Sequence, residues 1–228
     1  MVTQSIPLLD SIPARERART ASVCSRQSIL KGQRIFEEGQ PVDAVWFVVR
    51  GCVYLVKRMS PKTAVTVFIL TPEESICGIS ALGYPTYAVG AVAATDAVMM
   101  RIPRQIFLRW IKAYPAFAVA MLSRSCARLR HMSEAVAIAH APVEQRLAYV
   151  LLRLRKSFGS TIPMTHQELA QLAGTRWETS IRTLARMRQR GWVQTGRGRI
   201  TVAQPQALTT TAYAGLVTNG IPFESALV

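Results

Sequence analysis

Residues 165–187 read Thr165-His-Gln-Glu-Leu-Ala-Gln-Leu-Ala-Gly-Thr-Arg-Trp-Glu-Thr-Ser-Ile-Arg-Thr-Leu-Ala-Arg-Met187, and two helix starts are written into them. Thr165 followed by Glu168, and Thr175 followed by Glu178, each match the capping box, in which a hydroxyl and a carboxylate exchange hydrogen bonds with the first-turn backbone. Gly174 stands between them and supplies the turn. Two short helices joined by a glycine-containing turn of this length predict a helix-turn-helix, whose second helix can lie in the major groove of DNA.

That second helix opens with Arg176, Trp177 and Glu178, and Ile181 and Arg182 follow one turn later. All five are candidate base readers. An arginine can bond both acceptors of guanine, a carboxylate can accept from cytosine N4, and an apolar branch can touch the thymine methyl. Glu178 and Arg182, four residues apart, can therefore address one G·C pair. Thr165, Gln167 and Thr179 are candidate phosphate ligands. Downstream, Trp192 to Thr195 and Arg199 to Val202 read as two short strands joined across Gly196-Arg197-Gly198, a wing whose Arg197 and Arg199 add phosphate contacts that release counterions. A blander reading stays open: Glu178 only closes its capping box, Arg182, Arg186, Arg188 and Arg190 form a solvated face, and the winged helix serves a protein partner. Two caps, a glycine turn, a wing and local basic density together favour double-stranded DNA.

Upstream, Val143 to Lys156 is helical in pattern and stops near Phe158-Gly159-Ser160. Pro142, the expected hinge, separates it from a longer helical stretch that resumes after Pro115 and runs to Ala141. Within that stretch Leu122, Leu129 and Val136 recur every seven residues, with Ser125, Met132 and Ala139 between them, an a/d seam of nearly three heptads. Two copies can join through such a seam as a homodimer, although a helix packed on its own domain has a similar pattern. Gln105 to Ile111 is a further helix.

From Leu30 to Ile102 the pattern is short β-branched and aromatic runs broken by turn formers, which predicts an all-β barrel or sandwich. The expected strands are Val45 to Val49, Val53 to Val56, Val65 to Leu70, Ala88 to Ala93 and Ala97 to Ile102. Ser75 to Thr95 is uncharged over nearly a bilayer-spanning length, but Gly78, Gly83, Pro85 and Gly90 interrupt it, so buried strands joined by turns are expected and no membrane span. The α+β chain is thus expected to divide into an N-terminal segment 1–28, a β-domain 29–104, a helical segment 105–141, a winged helix-turn-helix 142–203 and a loosely ordered tail 204–228.

The formal net charge of +15, from 28 Lys and Arg against 13 Asp and Glu, suits a polyanionic partner. Met1 to Asp10 lacks the basic and apolar regions of a secretory signal, which predicts a cytoplasmic location and reduced thiols. Cys24, Cys52, Cys77 and Cys126 lie far apart with no clustered histidine, so no structural metal is expected. There is no phosphate-cradling glycine loop, no H-E-x-x-H and no G-x-S-x-G, and the chain is not expected to be an enzyme.

From about Ile29 to Val202 the chain resembles the CRP/FNR superfamily of transcription regulators. The resemblance rests on Phe36-Glu-Glu-Gly-Gln40, Val48-Val-Arg-Gly-Cys-Val53, Gly78, the long helix, and Gln167-Glu-Leu-Ala, Gly174, Glu178-Thr179 and Arg182 in that order. It implies a jelly-roll sensor domain of the cyclic-nucleotide-binding kind, a dimerisation helix and a winged helix-turn-helix. It also implies a homodimer on an approximate palindrome, Glu178 and Arg182 reading a G·C pair in each half-site, and RNA polymerase as a partner if the protein activates. Two positions depart from the pattern: Ile181 stands where the fumarate-nitrate branch has serine, and Trp177 where many relatives have a charged or small residue.

The sensor domain departs further. A cyclic nucleotide needs a carboxylate for its ribose and an arginine for its buried phosphate. Ile79 follows Gly78 where the glutamate is expected, Tyr87 falls about where the arginine belongs, and Ser75 to Thr95 contains no arginine or lysine. These substitutions argue against cyclic-nucleotide gating. The iron-sulfur cluster of the oxygen-sensing branch needs closely spaced amino-terminal cysteines, and only Cys24 lies there. Cys77 falls where carbon-monoxide-sensing relatives have a haem thiolate, yet Ile79 replaces their nearby histidine. No cofactor is therefore expected, haem is the alternative, and Cys77, Tyr87 and Cys126 stand as effector or redox candidates. The rival to a DNA-binding regulator is a ligand- or redox-sensing module that acts through protein partners.

Overall fold

Short β-branched runs can bury their apolar faces only by stacking sheet on sheet, and the first part of the chain does so. The structure is a computed structural model that describes residues 6–60, 63–76 and 78–215. It forms two compact units, which meet in sequence at Ala135 and Val136.

In the first unit a 3₁₀ turn, Pro7–Ser11, and α1 (Ala14–Thr20) lead into β1 (Ser25–Ile29), β2 (Arg34–Phe36), β3 (Ala44–Arg50), β4 (Val53–Ser60) and β5 (Thr63–Leu70). There follow β6 (Ser75–Ile76), α2 (Gly78–Gly83), β7 (Gly90–Ala93), β8 (Ala97–Pro103), α3 (Arg104–Ala113) and α4 (Pro115–Ala139), whose last residues enter the second unit. The strands make two antiparallel four-stranded sheets, ordered β1-β8-β3-β6 and β2-β7-β4-β5. Phe36, Leu55 and Phe68 from one sheet share a core with Phe47 and Met99 from the other. β3 is buried at five consecutive positions, Ala44 to Val48, because α3 packs against it as well, and so it reads as an apolar run and not as an alternation. Gly51 makes the turn into β4 at φ +84, where a Cβ would stand 2.4 Å from the Asp96 carbonyl.

All five expected strands are present, with limits shifted by a few residues. Three expectations for this unit are corrected. The N-terminal segment is built into the domain, with Ile6, Leu9 and Ile12 in its core. The strands β1, β2 and β6 come in addition to the five. Ser75 to Thr95 is not all strand and turn, since α2 lies in it; this helix turns Ala81 into the core, and its Ala81 carbonyl accepts from Arg104 Nε at 2.9 Å.

α1 is tied to α3 through Glu16, which is buried. Its carboxylate accepts from Arg109 at 3.0 Å and from Trp110 Nε1 at 3.2 Å, and pairs with Arg19 at 2.8 Å. Burial pushes this carboxyl up, but Arg19, Trp110 and Arg109 outweigh it and hold Glu16 below the usual carboxylate range. A carboxylate depressed by folding stabilises the folded state above its unfolded value and loses that contribution as pH falls through the folded one. The difference in melting temperature between the natural chain and Glu16→Gln is therefore expected to be full near neutral pH and to close in acid below the ordinary value of 4.5. A difference that persists unchanged in acid would mean that ionised Glu16 contributes nothing.

The second unit continues with α5 (Val143–Phe158), β9 (Thr161–Ile162), α6 (His166–Leu172), α7 (Trp177–Gln189), β10 (Val193–Gly196), β11 (Arg199–Val202) and α8 (Pro205–Ala212). Pro142 caps α5 in an extended conformation, which ends the long helix as its missing N–H requires. The wing is three-stranded, ordered β10-β11-β9. The expected loose tail is corrected through residue 215: α8 buries Leu208 and Ala212 and packs on α5, and Gln145 Nε2 donates to the Ala212 and Ala214 carbonyls at 3.0 and 2.9 Å. No single helix among the described residues is long and apolar enough to cross a membrane.

Candidate nucleic-acid interface

The first capping box forms as read. The Thr165 hydroxyl accepts from the Glu168 amide at 3.2 Å, and the Glu168 carboxylate accepts from the Thr165 amide at 2.8 Å and from its hydroxyl at 2.9 Å. Thr165, although exposed, thus has its hydroxyl engaged in starting α6. The second box does not form. The Thr175 amide donates back to the Ala170 carbonyl, Arg176 takes the N-cap with extended backbone, and α7 begins one residue later than the pattern predicts, with no side-chain cap. Glu178 therefore sits at the second helical position, one short of the place from which a capping-box carboxylate reaches back. Its side chain is exposed.

Gly174 makes the turn at φ +57, a left-handed conformation that costs glycine nothing, and its carbonyl accepts from Arg146 of α5 at 2.9 Å. α7 is then held by its inner face, where Ser180, Thr183, Leu184 and Met187 are buried. The Ser180 hydroxyl lies 3.5 Å from the His166 carbonyl, where α7 packs on α6. At the far end Glu144 of α5 accepts from Arg190 and pairs with Arg186 at 3.9 Å, and Arg190 also lies over the Trp192 ring at 4.9 Å. Arg186 and Arg190 thus help to anchor the helix.

The outer face is open. Arg176, Trp177, Glu178 and Arg182 are exposed, Thr179 and Ile181 are half-buried, and Trp177 keeps 52% of its surface accessible. The face continues through half-buried Ala185 and exposed Gln189, which a reading from the amino-terminal end alone does not include; their spacing of seven and eleven residues from Glu178 is the signal that finds them. Gln167 on α6 is exposed, as are Arg197 and Arg199 at the wing tip. Burial, aided by the charge of Arg188, pushes the His166 imidazole below its ordinary value, so it stays neutral at pH 7 and adds no cation at the start of α6.

On α4, Leu122, Leu129 and Val136 are 64%, 60% and 67% exposed, and Met132 and Ala139 are exposed too. Ser125 is half-buried and its hydroxyl donates to the Met121 carbonyl at 2.9 Å. Arg124 and Arg128 turn toward the β-domain, donating to the Glu73 and Ser75 carbonyls. The open apolar stripe accordingly runs through Val119, Leu122, Cys126, Leu129 and Val136. Exposed Cys126 lies within it, and the buried Cys24 and Cys52 belong to the first unit. Cys77 lies outside the described residues. Among the described residues no group of three or more His, Cys, Asp or Glu side chains is placed to hold a metal ion.

Tyr87 is a core side chain. It is 2% exposed and stacks on Phe36 with ring centroids 3.9 Å apart. Its hydroxyl has one proton to share between Asp43 at 2.9 Å and the Ala44 carbonyl at 3.0 Å, and accepts from Trp46 Nε1 at 3.4 Å. Burial and the Asp43 carboxylate push the phenol up to about 12, so it stays neutral. Arg101 is paired with Asp43 at 2.6 Å. A cyclic phosphate brought to Tyr87 would meet a neutral hydroxyl backed by a carboxylate. Tyr87 and Asp43 thus offer a phosphate no positive charge.

The chain matches the cyclic nucleotide-binding domain family over residues 26–114 and the Crp-like helix-turn-helix domain family over residues 145–211. The second match runs from α5 into α8, so α8 belongs to that module. The chain is similar to the cyclic AMP receptor protein of Thermus thermophilus, 29% identical over 209 residues that cover 91% of this chain and 97% of that protein. It is also similar to the global nitrogen regulator of Synechocystis sp., 26% identical over 78% of this chain and 84% of that protein. Among solved structures it shares the fold of FixK2 from Bradyrhizobium japonicum, with a TM-score of 0.72 and 19% identity over 82% of this chain and 96% of that one.

Proposed function

As the chain belongs to the CRP/FNR family of transcription regulators, we propose that it binds an approximate DNA palindrome as a cytoplasmic homodimer, acts by binding and not by catalysis, and is not gated by a cyclic nucleotide. The carrying observation is the division of α7: Ser180, Thr183, Leu184 and Met187 hold its inner face, and Arg176, Trp177, Glu178 and Arg182 stand open on the other. Arg182 and Glu178 suit a G·C pair, and Gln167, Thr179, Arg197 and Arg199 suit phosphates on either side.

The stripe on α4 supports two copies, since exposed leucine and valine at heptad spacing lose water only against a second helix. Only one spacing of two recognition helices, about 34 Å, matches successive major grooves. Whatever favours that spacing sets the activity, and an activator would also present a face to RNA polymerase. Tyr87 supports independence from cyclic nucleotides, although one relative is named for cyclic AMP.

The test is selection of a preferred duplex from a random pool, followed by titration. Affinity for the selected site is expected to fall about a thousandfold or more between roughly 50 and 200 mM salt, as several neutralised phosphates require. Added cyclic AMP should leave it unchanged. Failure to select any site, or binding indifferent to salt, would sink the proposal.

A further inference from the structure

The open face of α7 is split lengthwise. Glu178 and Arg182 form one stripe, and Trp177 and Ile181 form the other, each pair four residues apart and so stacked about 6 Å along the axis. The large apolar side chains on the inner face, Leu184 and Met187, are fully buried, so the core of the unit is complete without Trp177, which stays more than half exposed. Its apolar stripe continues down the helix through Ile181.

Base edges in the major groove present donors and acceptors at each pair. An indole and a branched alkyl group laid against them leave those groups dehydrated and without partners, which is costly. The C5-methyl of thymine is the apolar feature of that groove, and against it the same two side chains meet carbon in place of a donor or acceptor. On the reading of α7 as the base-contacting helix, we infer that Trp177 and Ile181 form an apolar slot for a thymine methyl, one or two base steps from the G·C pair faced by Glu178 and Arg182. The half-site is then chosen by a methyl group as well as by hydrogen bonds. Guanine or cytosine in that place is rejected because its polar edge would be stranded.

Uracil differs from thymine only by this methyl. In the selected duplex each thymine is replaced in turn by uracil, and binding of the full chain is followed by fluorescence anisotropy. One thymine per half-site is expected at which uracil weakens binding about fourfold, the worth of one apolar carbon withdrawn from water. In Trp177→Ala and in Ile181→Thr the thymine-to-uracil ratio at that position should fall to about one. Uracil equal to thymine everywhere, with the G·C preference intact, overturns the slot and leaves the base-contacting role of α7 standing. Absence of any preferred duplex overturns both. Should Ile181→Thr lose its helical circular dichroism, Trp177→Ala decides alone, since the indole is not part of the core.

Discussion

Replacing Arg182 with alanine is expected to weaken binding to the selected site by about 1–3 kcal/mol, the usual worth of a bidentate contact to guanine, and to blur one base position in each half-site. The argument starts from anchoring. α7 is fixed by Ser180, Thr183, Leu184 and Met187 on its inner face, and by Glu144 acting on Arg186 and Arg190 at its far end. Arg182 is exposed and belongs to neither set, so its removal leaves the fold intact. Arg186→Ala provides the contrast, because it removes a partner of Glu144 and should act on stability more than on base preference. Arg182→Lys keeps the charge but loses the planar fork, and should retain affinity for random DNA while losing much of the selectivity. Measurement is by anisotropy on the selected duplex and on four variants of the G·C position. Unchanged selectivity in Arg182→Ala would remove this residue from the reading surface.

The contrast between Arg182 and its neighbours marks what sequence could and could not disclose. Period and punctuation disclosed the five main strands, the long helix, the helix pair and the two-stranded part of the wing, because each carries an apolar run or stripe that a partner covers and its own stop signals. The segment Ser25–Ile29, with its Arg26 and Gln27, carries too little apolar alternation to announce β1, which exists because β8 offers it an edge. α8 was illegible for a similar reason. Its Pro-Gln-Ala-Leu-Thr-Thr-Thr-Ala run has weak helix propensity, and the contacts that order it, α5 beneath Leu208 and the Gln145 amide at its end, are tertiary. At α7 two start signals competed: Thr175 had the right side chain, but its amide was claimed by Ala170, and the backbone chose Arg176. Four arginines in a row of turns looked alike in sequence; only their partners separate Arg182 from Arg186 and Arg190.

Leu129→Glu is expected to convert the protein to monomers and to abolish cooperative binding to the full palindrome while leaving weak half-site binding. Within one copy Leu129 is 60% exposed, so the substitution costs the fold little. The cost falls on association. In a two-fold seam a central residue meets its own symmetry mate, so one substitution places two like charges side by side and removes both from water with no cation to meet them. Of the two arginines that flank Leu129, Arg128 donates to the Ser75 carbonyl of its own domain, and Arg130, exposed on the next residue, stands about 100° round the helix from Leu129 and off the seam. Each unpaired buried ion costs on the order of several kcal/mol, which moves a dimer dissociation constant by at least about a hundredfold. Ser123→Glu, exposed on the same helix but off the stripe, is the matched control and should stay dimeric. Sedimentation of both variants decides the matter: a dimeric Leu129→Glu protein would place the contact between copies somewhere other than this stripe, and with it the spacing that two recognition helices need.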